Sequence, residues 1–153
     1  MKPLKGARLL RKGRASIINQ HYLITTTVQK RRPVLNKPET VQIILSSLHW
    51  LESQKRITLD AAVIMPDHLH FVVALRQGSL SQLMRGFKSY TAKEINSCLN
   101  RHGTFWQSQY HDHALRKDED LNKVVLYALN NPVRAGLVED FHEYPYWYCR
   151  WDV

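Results

Sequence analysis

Two histidines, His68 and His70, flank Leu69 in the run Met65-Pro66-Asp67-His68-Leu69-His70-Phe71-Val72-Val73. A β-branched stretch, residues 57–64, leads in and Phe71-Val72-Val73-Ala74-Leu75 leads out, so Pro66-Asp67 reads as the turn between two buried strands. Side chains alternate along a strand, which puts both imidazoles on one face and Leu69 and Phe71 on the other. Two imidazoles on a rigid, otherwise apolar strand suit one divalent cation. They are equally the pattern of two strand-start histidines satisfied by backbone or water. Further on, Tyr127 and Asn131 stand four residues apart and share a face if the segment is helical. If that face meets the histidines, the Asn131 oxygen completes a three-ligand set and Tyr127 stands next to a phosphate that the metal polarises. A tyrosine hydroxyl, with a solution pKa of about 10, is a poor nucleophile until a cation or base helps remove its proton. Spacing alone favours the plainer role for Tyr127, a helical side chain in the core or at its rim.

The elements that hold these groups follow from the hydrophobic pattern. Tyr22 to Val28 is a strand by its β-branched content, and the basic cluster Lys30-Arg31-Arg32-Pro33 ends it. Pro38-Glu39 opens a helix with Val41, Ile44, Leu45, Leu48 and Leu51 at helical spacing. After the two strands around the histidine pair, Ser79 or Ser81 caps a helix running to about Asn100. Its buried stripe reads Leu80, Leu83, Phe87, Tyr90, Ile95 and Leu99, with Arg85, Lys88 and Lys93 outside. Residues 105–115 form a fourth strand or extended segment. A last helix covers about Asp118 to Asn130, acidic at its start as the helix dipole prefers, and Asn131-Pro132 ends it. The order strand, helix, strand, strand, helix, strand, then an extra helix is the ferredoxin-like plan. The expected fold is therefore α+β: a split βαβ antiparallel sheet with helices on one face, the histidine pair on a central strand and Tyr127 on a C-terminal helix.

At 153 residues the chain reads as one domain, with a basic N-terminal arm (1–18) and an aromatic C-terminal tail (140–153) that packs back on the body. A formal charge of +9 points to a polyanionic partner, nucleic acid first and an anionic membrane surface second. No apolar run approaches the roughly 18 residues of a membrane span, and the N-terminus lacks the apolar region of a signal peptide. Cys98 and Cys149 are too few and too scattered for a disulfide framework or zinc knuckle, so a reducing, cytoplasmic setting is expected. In the arm, Lys5, Arg8, Arg11, Lys12 and Arg14 either track a phosphate backbone or form a solvated tail; the overall charge favours the first.

Several blocks together resemble one family: Met65 to His70, Phe87-Lys88-Ser89-Tyr90-Thr91-Ala92, Trp106-Gln107, His111-Asp112-His113-Ala114-Leu115-Arg116, and Tyr127-Ala128-Leu129-Asn130-Asn131-Pro132-Val133-Arg134-Ala135-Gly136-Leu137-Val138. They look like the REP-associated tyrosine transposases, a branch of the single-tyrosine HUH transposases, and the blocks run in order over roughly residues 20 to 150. HUH denotes two histidines around a bulky apolar residue, here Leu69. The resemblance implies a Mg²⁺ or Mn²⁺ site with His68 and His70 as ligands. It makes Asn131 the third ligand, where relatives often use glutamine, and Tyr127 the nucleophile. It further implies cleavage and rejoining of single-stranded DNA at hairpin repeats through a 5′-phosphotyrosine link, by a monomer or a homodimer.

Two rivals stand inside the sequence. Tyr90 also lies on a helix, but without a metal-type ligand at i+4 it reads as a core or DNA-packing aromatic. His111 and His113 form a second pair around the small, acidic Asp112; His113 is a candidate site or DNA contact and His111 a surface residue. Lys88, Arg116 and Arg134 are candidate contacts to hairpin phosphates, and Trp106, Tyr110, Trp147 and Trp151 either stack on bases or pack the core. The alternative class is a hairpin-binding protein of the same fold that does not cut. A third reading, an RNA-binding module, predicts indifference to divalent metal.

Overall fold

A computed structural model describes residues 16–153. Five strands, β1 (His21–Thr27), β2 (Ile57–Ile64), β3 (His68–Leu75), β4 (His111–Ala114) and β5 (Trp147–Cys149), form one antiparallel sheet in the order β4-β1-β3-β2-β5. The helices are α1 (Pro38–Ser53), α2 (Leu80–Cys98), α3 (Leu121–Leu129) and a single turn, α4 (Asn131–Arg134). Leaving aside β5 at the edge, this is the ferredoxin-like arrangement that the pattern predicts, with β3 at the centre.

Alternation along the strands divides the interior in two. Ile24, Leu59, Leu69, Phe71 and Val73 face α1 and α2, where Ile44, Leu48, Leu83 and Phe87 meet them. The opposite face carries Ala61, Val63 and Val72, covered by Val125, Ala128 and Leu129 of α3 and by Phe141 and Tyr144 beyond it. The two crossover helices thus share one face, and the third helix lies on the other. α1 begins at Pro38, whose missing N–H costs nothing at a first turn. α2 begins with a capping box in which Ser79 accepts from Gln82 N–H and Gln82 reaches back to the Ser79 N–H.

Three details differ from the pattern. Tyr90, expected on the buried stripe, is 55% exposed. Thr91 takes the inward position instead, donating to Phe87 O at 2.7 Å and accepting from Trp106 Nε1–H at 2.9 Å. β4 is only four residues long, and the preceding segment touches the chain just past β1 through an isolated bridge, Val28 to Trp106. α3 starts at Leu121 rather than Asp118; the carboxylate of Asp120 caps it by accepting from Asn122 N–H at 2.9 Å. Asp118 and Glu119 therefore lie in the turn before the helix.

The C-terminal tail closes the sheet. β5 pairs with β2, and Tyr144 O–H donates to Ile64 O at 2.6 Å. Burial of that phenol pushes its pKa up to about 12. A register shift between Leu59 and Ala61 leaves Asp60 unpaired in the ladder, its side chain wholly buried. Arg150 and His21 both reach it, Nη2 to Oδ1 at 2.6 Å and Nδ1 to Oδ2 at 2.7 Å.

Candidate active site

His68 and His70 lie on the sheet face that α3 covers, opposite Thr27 and Thr25 of β1. Their rings meet edge to face with centroids 4.8 Å apart. Each Nδ1 is already engaged. His68 Nδ1 donates to Asp67 Oδ1 at 2.7 Å, and His70 Nδ1 lies 2.7 Å from Thr25 Oγ1. With Nδ1–H directed to the carboxylate or to the hydroxyl, Nε2 of each ring keeps its lone pair for a metal. Burial, and then the nearby charges of His68 and Arg134, push the His70 pKa down to about 4, so that imidazole is neutral at physiological pH, as a ligand must be.

α3 presents the other half. Val125, Ala128 and Leu129 pin the helix to the sheet, which turns Tyr127 outward at 62% exposure. The Arg134 guanidinium sits over the Tyr127 ring, 3.8 Å from its centroid. The charge of Arg134 also contributes, after burial and His68, to lowering the His70 pKa. Asn131 is not on the same helix as Tyr127, as the spacing supposed: α3 ends at Leu129, and Asn131 opens α4. Pro132 explains the break. It has no N–H to give to Ala128 O, and the Asn131 side chain supplies that donor instead, Nδ2 to Ala128 O at 3.1 Å. This bond holds the amide by its nitrogen and leaves its oxygen available to accept.

The residues fit a divalent cation in one specific sense. Two imidazole nitrogens and one amide oxygen make an incomplete set that leaves positions for water and a phosphate. No cluster of three His, Cys, Asp or Glu side chains stands among the described residues. Beside Tyr127 an open cleft of about 480 Å³ is bordered by Leu23, His113, Glu119, Lys123 and Val124.

Residues 16–131 match the family described as "Transposase IS200 like". The chain belongs to this family of transposases. A putative REP-associated tyrosine transposase of Haemophilus influenzae is 30% identical over 97 residues, 56% of this chain and 55% of that protein, so the chain spans about half that relative's length. The REP-associated tyrosine transposase of Escherichia coli is 22% identical over 125 residues, 82% of this chain and 73% of that protein. A solved REP-associated tyrosine transposase bound to a REP hairpin superposes with a TM-score of 0.71 at 23% identity, over 88% of this chain and 79% of that one. A putative transposase from Deinococcus radiodurans gives 0.54 at 20% identity, over 78% and 96%. The two structures establish the fold, and the family read from the motif blocks holds.

Other candidate residues of this IS200-like transposase fall in varied places. His113 Nε2 lies 2.9 Å from Glu119 Oε1 at the rim of the cleft. Glu119 also accepts from Arg116 N–H at 2.8 Å, and these bonds to Arg116 and His113 hold its carboxyl below the usual range. The Arg116 guanidinium is exposed near Asp118 and Glu119. Lys88 Nζ donates to Gln107 O at 2.6 Å and Ser108 O at 3.2 Å, tying down the segment before β4. Lys5, Arg8, Arg11, Lys12 and Arg14 lie outside the described residues. No described helix is long and apolar enough to cross a membrane. Sequence reasoning missed Thr25 and passed over Asp67 although it stands in the motif; only strand register reveals what Thr25 faces.

Proposed function

We propose that this IS200-like transposase cleaves and rejoins single-stranded DNA at hairpin repeats, with Tyr127 as nucleophile and His68, His70 and Asn131 holding Mg²⁺ or Mn²⁺. What supports the reading is the pair of histidines whose Nδ1 atoms are engaged, which leaves Nε2 for a metal, on the sheet face that the helix of Tyr127 covers, with Arg134 stacked on the exposed Tyr127 ring. Tyr127 Oη would attack phosphorus, forming the tyrosyl phosphate ester as the bond from phosphorus to the 3′ oxygen breaks. The proton that the Tyr127 hydroxyl gives up to solvent is balanced by one that the departing oxygen takes to become a 3′-hydroxyl. Attack by such a hydroxyl on the 5′-phosphotyrosine reverses the step, so joining needs no nucleotide cofactor. A divalent metal held by His68, His70 and Asn131 would supply positive charge where negative charge builds up on the phosphate. Arg134, already against the ring, adds charge at the attacking oxygen. The +9 charge fits a polyanionic strand, and the REP hairpin in the superposed relative supports a hairpin substrate here.

The test is covalent capture. Hairpin oligonucleotides labelled at either end, incubated with Mg²⁺ or Mn²⁺, should give a protein–DNA adduct on denaturing gels. Tyr127→Phe should lose it completely and Tyr90→Phe should keep it, since Tyr90 lies on the opposite side of the sheet. Tight binding with no adduct on any hairpin would leave a non-cutting hairpin binder in its place. Asn131 offers a finer check. Asn131→Asp keeps an oxygen ligand but cannot donate to Ala128 O, so it should retain Mn²⁺ while losing about 1 kcal/mol in urea denaturation. Asn131→Ala should weaken both.

A further inference from the structure

The 3-10 turn Gln29–Arg31, directly after β1, has a backbone that its sequence does not suit. Lys30 has φ 60° and Arg31 has φ 51°, both left-handed, a region that any side chain with a Cβ occupies at a cost and that glycine or asparagine fills readily. The turn is over-determined by its neighbours. Val28 N–H donates to Asp67 O at 2.9 Å, Gln29 N–H to Phe105 O at 2.8 Å, and Arg31 N–H to Val28 O at 2.8 Å. Strain of this kind persists where the surroundings enforce it. Neither side chain repays it by packing, because both are exposed.

The turn also touches the metal site through one carboxylate. Arg31 Nε donates to Asp67 Oδ2 at 3.0 Å, and Asp67 Oδ1 accepts from His68 Nδ1 at 2.7 Å. The Arg31 side chain is 63% exposed, and its Nη groups make no hydrogen bond among the described residues. Arg32 differs: its Nη2 donates to Thr104 O at 3.2 Å and it is half-buried. Two outward cations, held on a rigid turn beside a histidine ligand, match the chemistry of a phosphodiester. Arginine bonds its oxygens in a planar fork and lysine supplies a point charge.

We infer that Lys30 and Arg31 form a phosphate-binding element that seats the single strand flanking the hairpin as it enters the metal site. The inference rests on the proposed function, because it takes single-stranded DNA as the ligand. The left-handed backbone is then the cost of presenting two long cations where a glycine turn would present none.

The experiment uses Tyr127→Phe protein, so that binding is read without cleavage. Affinity for a hairpin with a single-stranded extension, and for the same hairpin without one, is followed against salt. With Lys30→Gly and Arg31→Gly together, the slope of log affinity against log salt should fall by about 1.4 for the extended hairpin, two contacts at about 0.7 each. It should stay unchanged for the hairpin alone. The melting temperature should hold or rise, because glycine relieves the left-handed positions. The pair Lys30→Asn and Arg31→Asn, which also tolerates that region, should repeat the slope change. An unchanged slope on the extended hairpin overturns the inference and leaves the proposed function standing. A loss of melting temperature with both the glycine and asparagine pairs makes the turn structural and overturns it too. Failure of the Tyr127→Phe protein to bind either DNA overturns the inference and the proposed function together.

Discussion

Alanine at His68 or His70 is expected to lower strand cleavage by at least about a thousandfold while changing hairpin affinity by no more than a few-fold. A thousandfold is about 4 kcal/mol of barrier, the scale of a metal's stabilisation of developing phosphate charge. Binding should be spared, because the proposed phosphate contacts are exposed cations rather than the half-buried imidazoles. The geometry adds a graded version of the test. Thr25→Val keeps the shape of the side chain but removes the hydroxyl 2.7 Å from His70 Nδ1. Without it the ring loses its fixed orientation and tautomer, and Mn²⁺ affinity should fall about 10- to 100-fold. Thr25→Ser should recover most of that. Mn²⁺ titration followed by electron paramagnetic resonance reads the effect without DNA or turnover. If Thr25→Val bound Mn²⁺ as tightly as the parent chain, the contact would have no bearing on the metal. If the proposed set of two imidazole nitrogens and one amide oxygen holds the metal, Mn²⁺ should win over Mg²⁺ in direct competition.

What the sequence made legible was whatever depends on alternation and helical spacing. The period-2 pattern put His68 and His70 on one face of β3 and Leu69 and Phe71 on the other, as the structure has them. The helical spacing of Val41, Ile44, Leu48 and Leu51 found α1, and the order of elements found the sheet. Local rules failed where a side chain replaces a backbone group. Asn131 substitutes for the N–H that Pro132 lacks, so one apparent helix face became two short elements. The acidic run from Asp118 reads as a helix start, yet only Asp120 caps it, while Glu119 turns back to Arg116 and His113. Partners distant in sequence were out of reach: Thr25 with His70, Arg31 with Asp67, and Arg150 with Asp60 are pairs set by register and by the tail's return. The bulge at Asp60 has no turn residue to announce it. A lone aspartate in an apolar strand is the one signal that something must reach in to meet it.

That aspartate gives the largest expected effect on stability, and the effect should be asymmetric. Asp60 is wholly buried, whereas the Arg150 side chain is 45% exposed. Removing the carboxylate leaves a guanidinium that water can solvate; removing the guanidinium leaves a buried carboxylate with only His21 beside it. Arg150→Leu should therefore cost roughly 3 kcal/mol. Asp60→Ala should cost about half of that, from the small void and the lost hydrogen bonds. Urea denaturation of the two single variants and the double variant measures the difference. Adding Asp60→Ala to Arg150→Leu should restore part of the loss, because the stranded charge is gone. Equal costs for the two singles with simple additivity would mean that Asp60 is not left unsolvated. The consequence reaches the site. Arg150 anchors the tail whose Trp151 Nε1–H donates to Asn122 Oδ1 on α3 at 3.0 Å, and α3 carries Tyr127. Arg150→Leu should thus slow adduct formation more than Asp60→Ala does, in step with the stability order, because both changes act on Tyr127 through the seating of its helix.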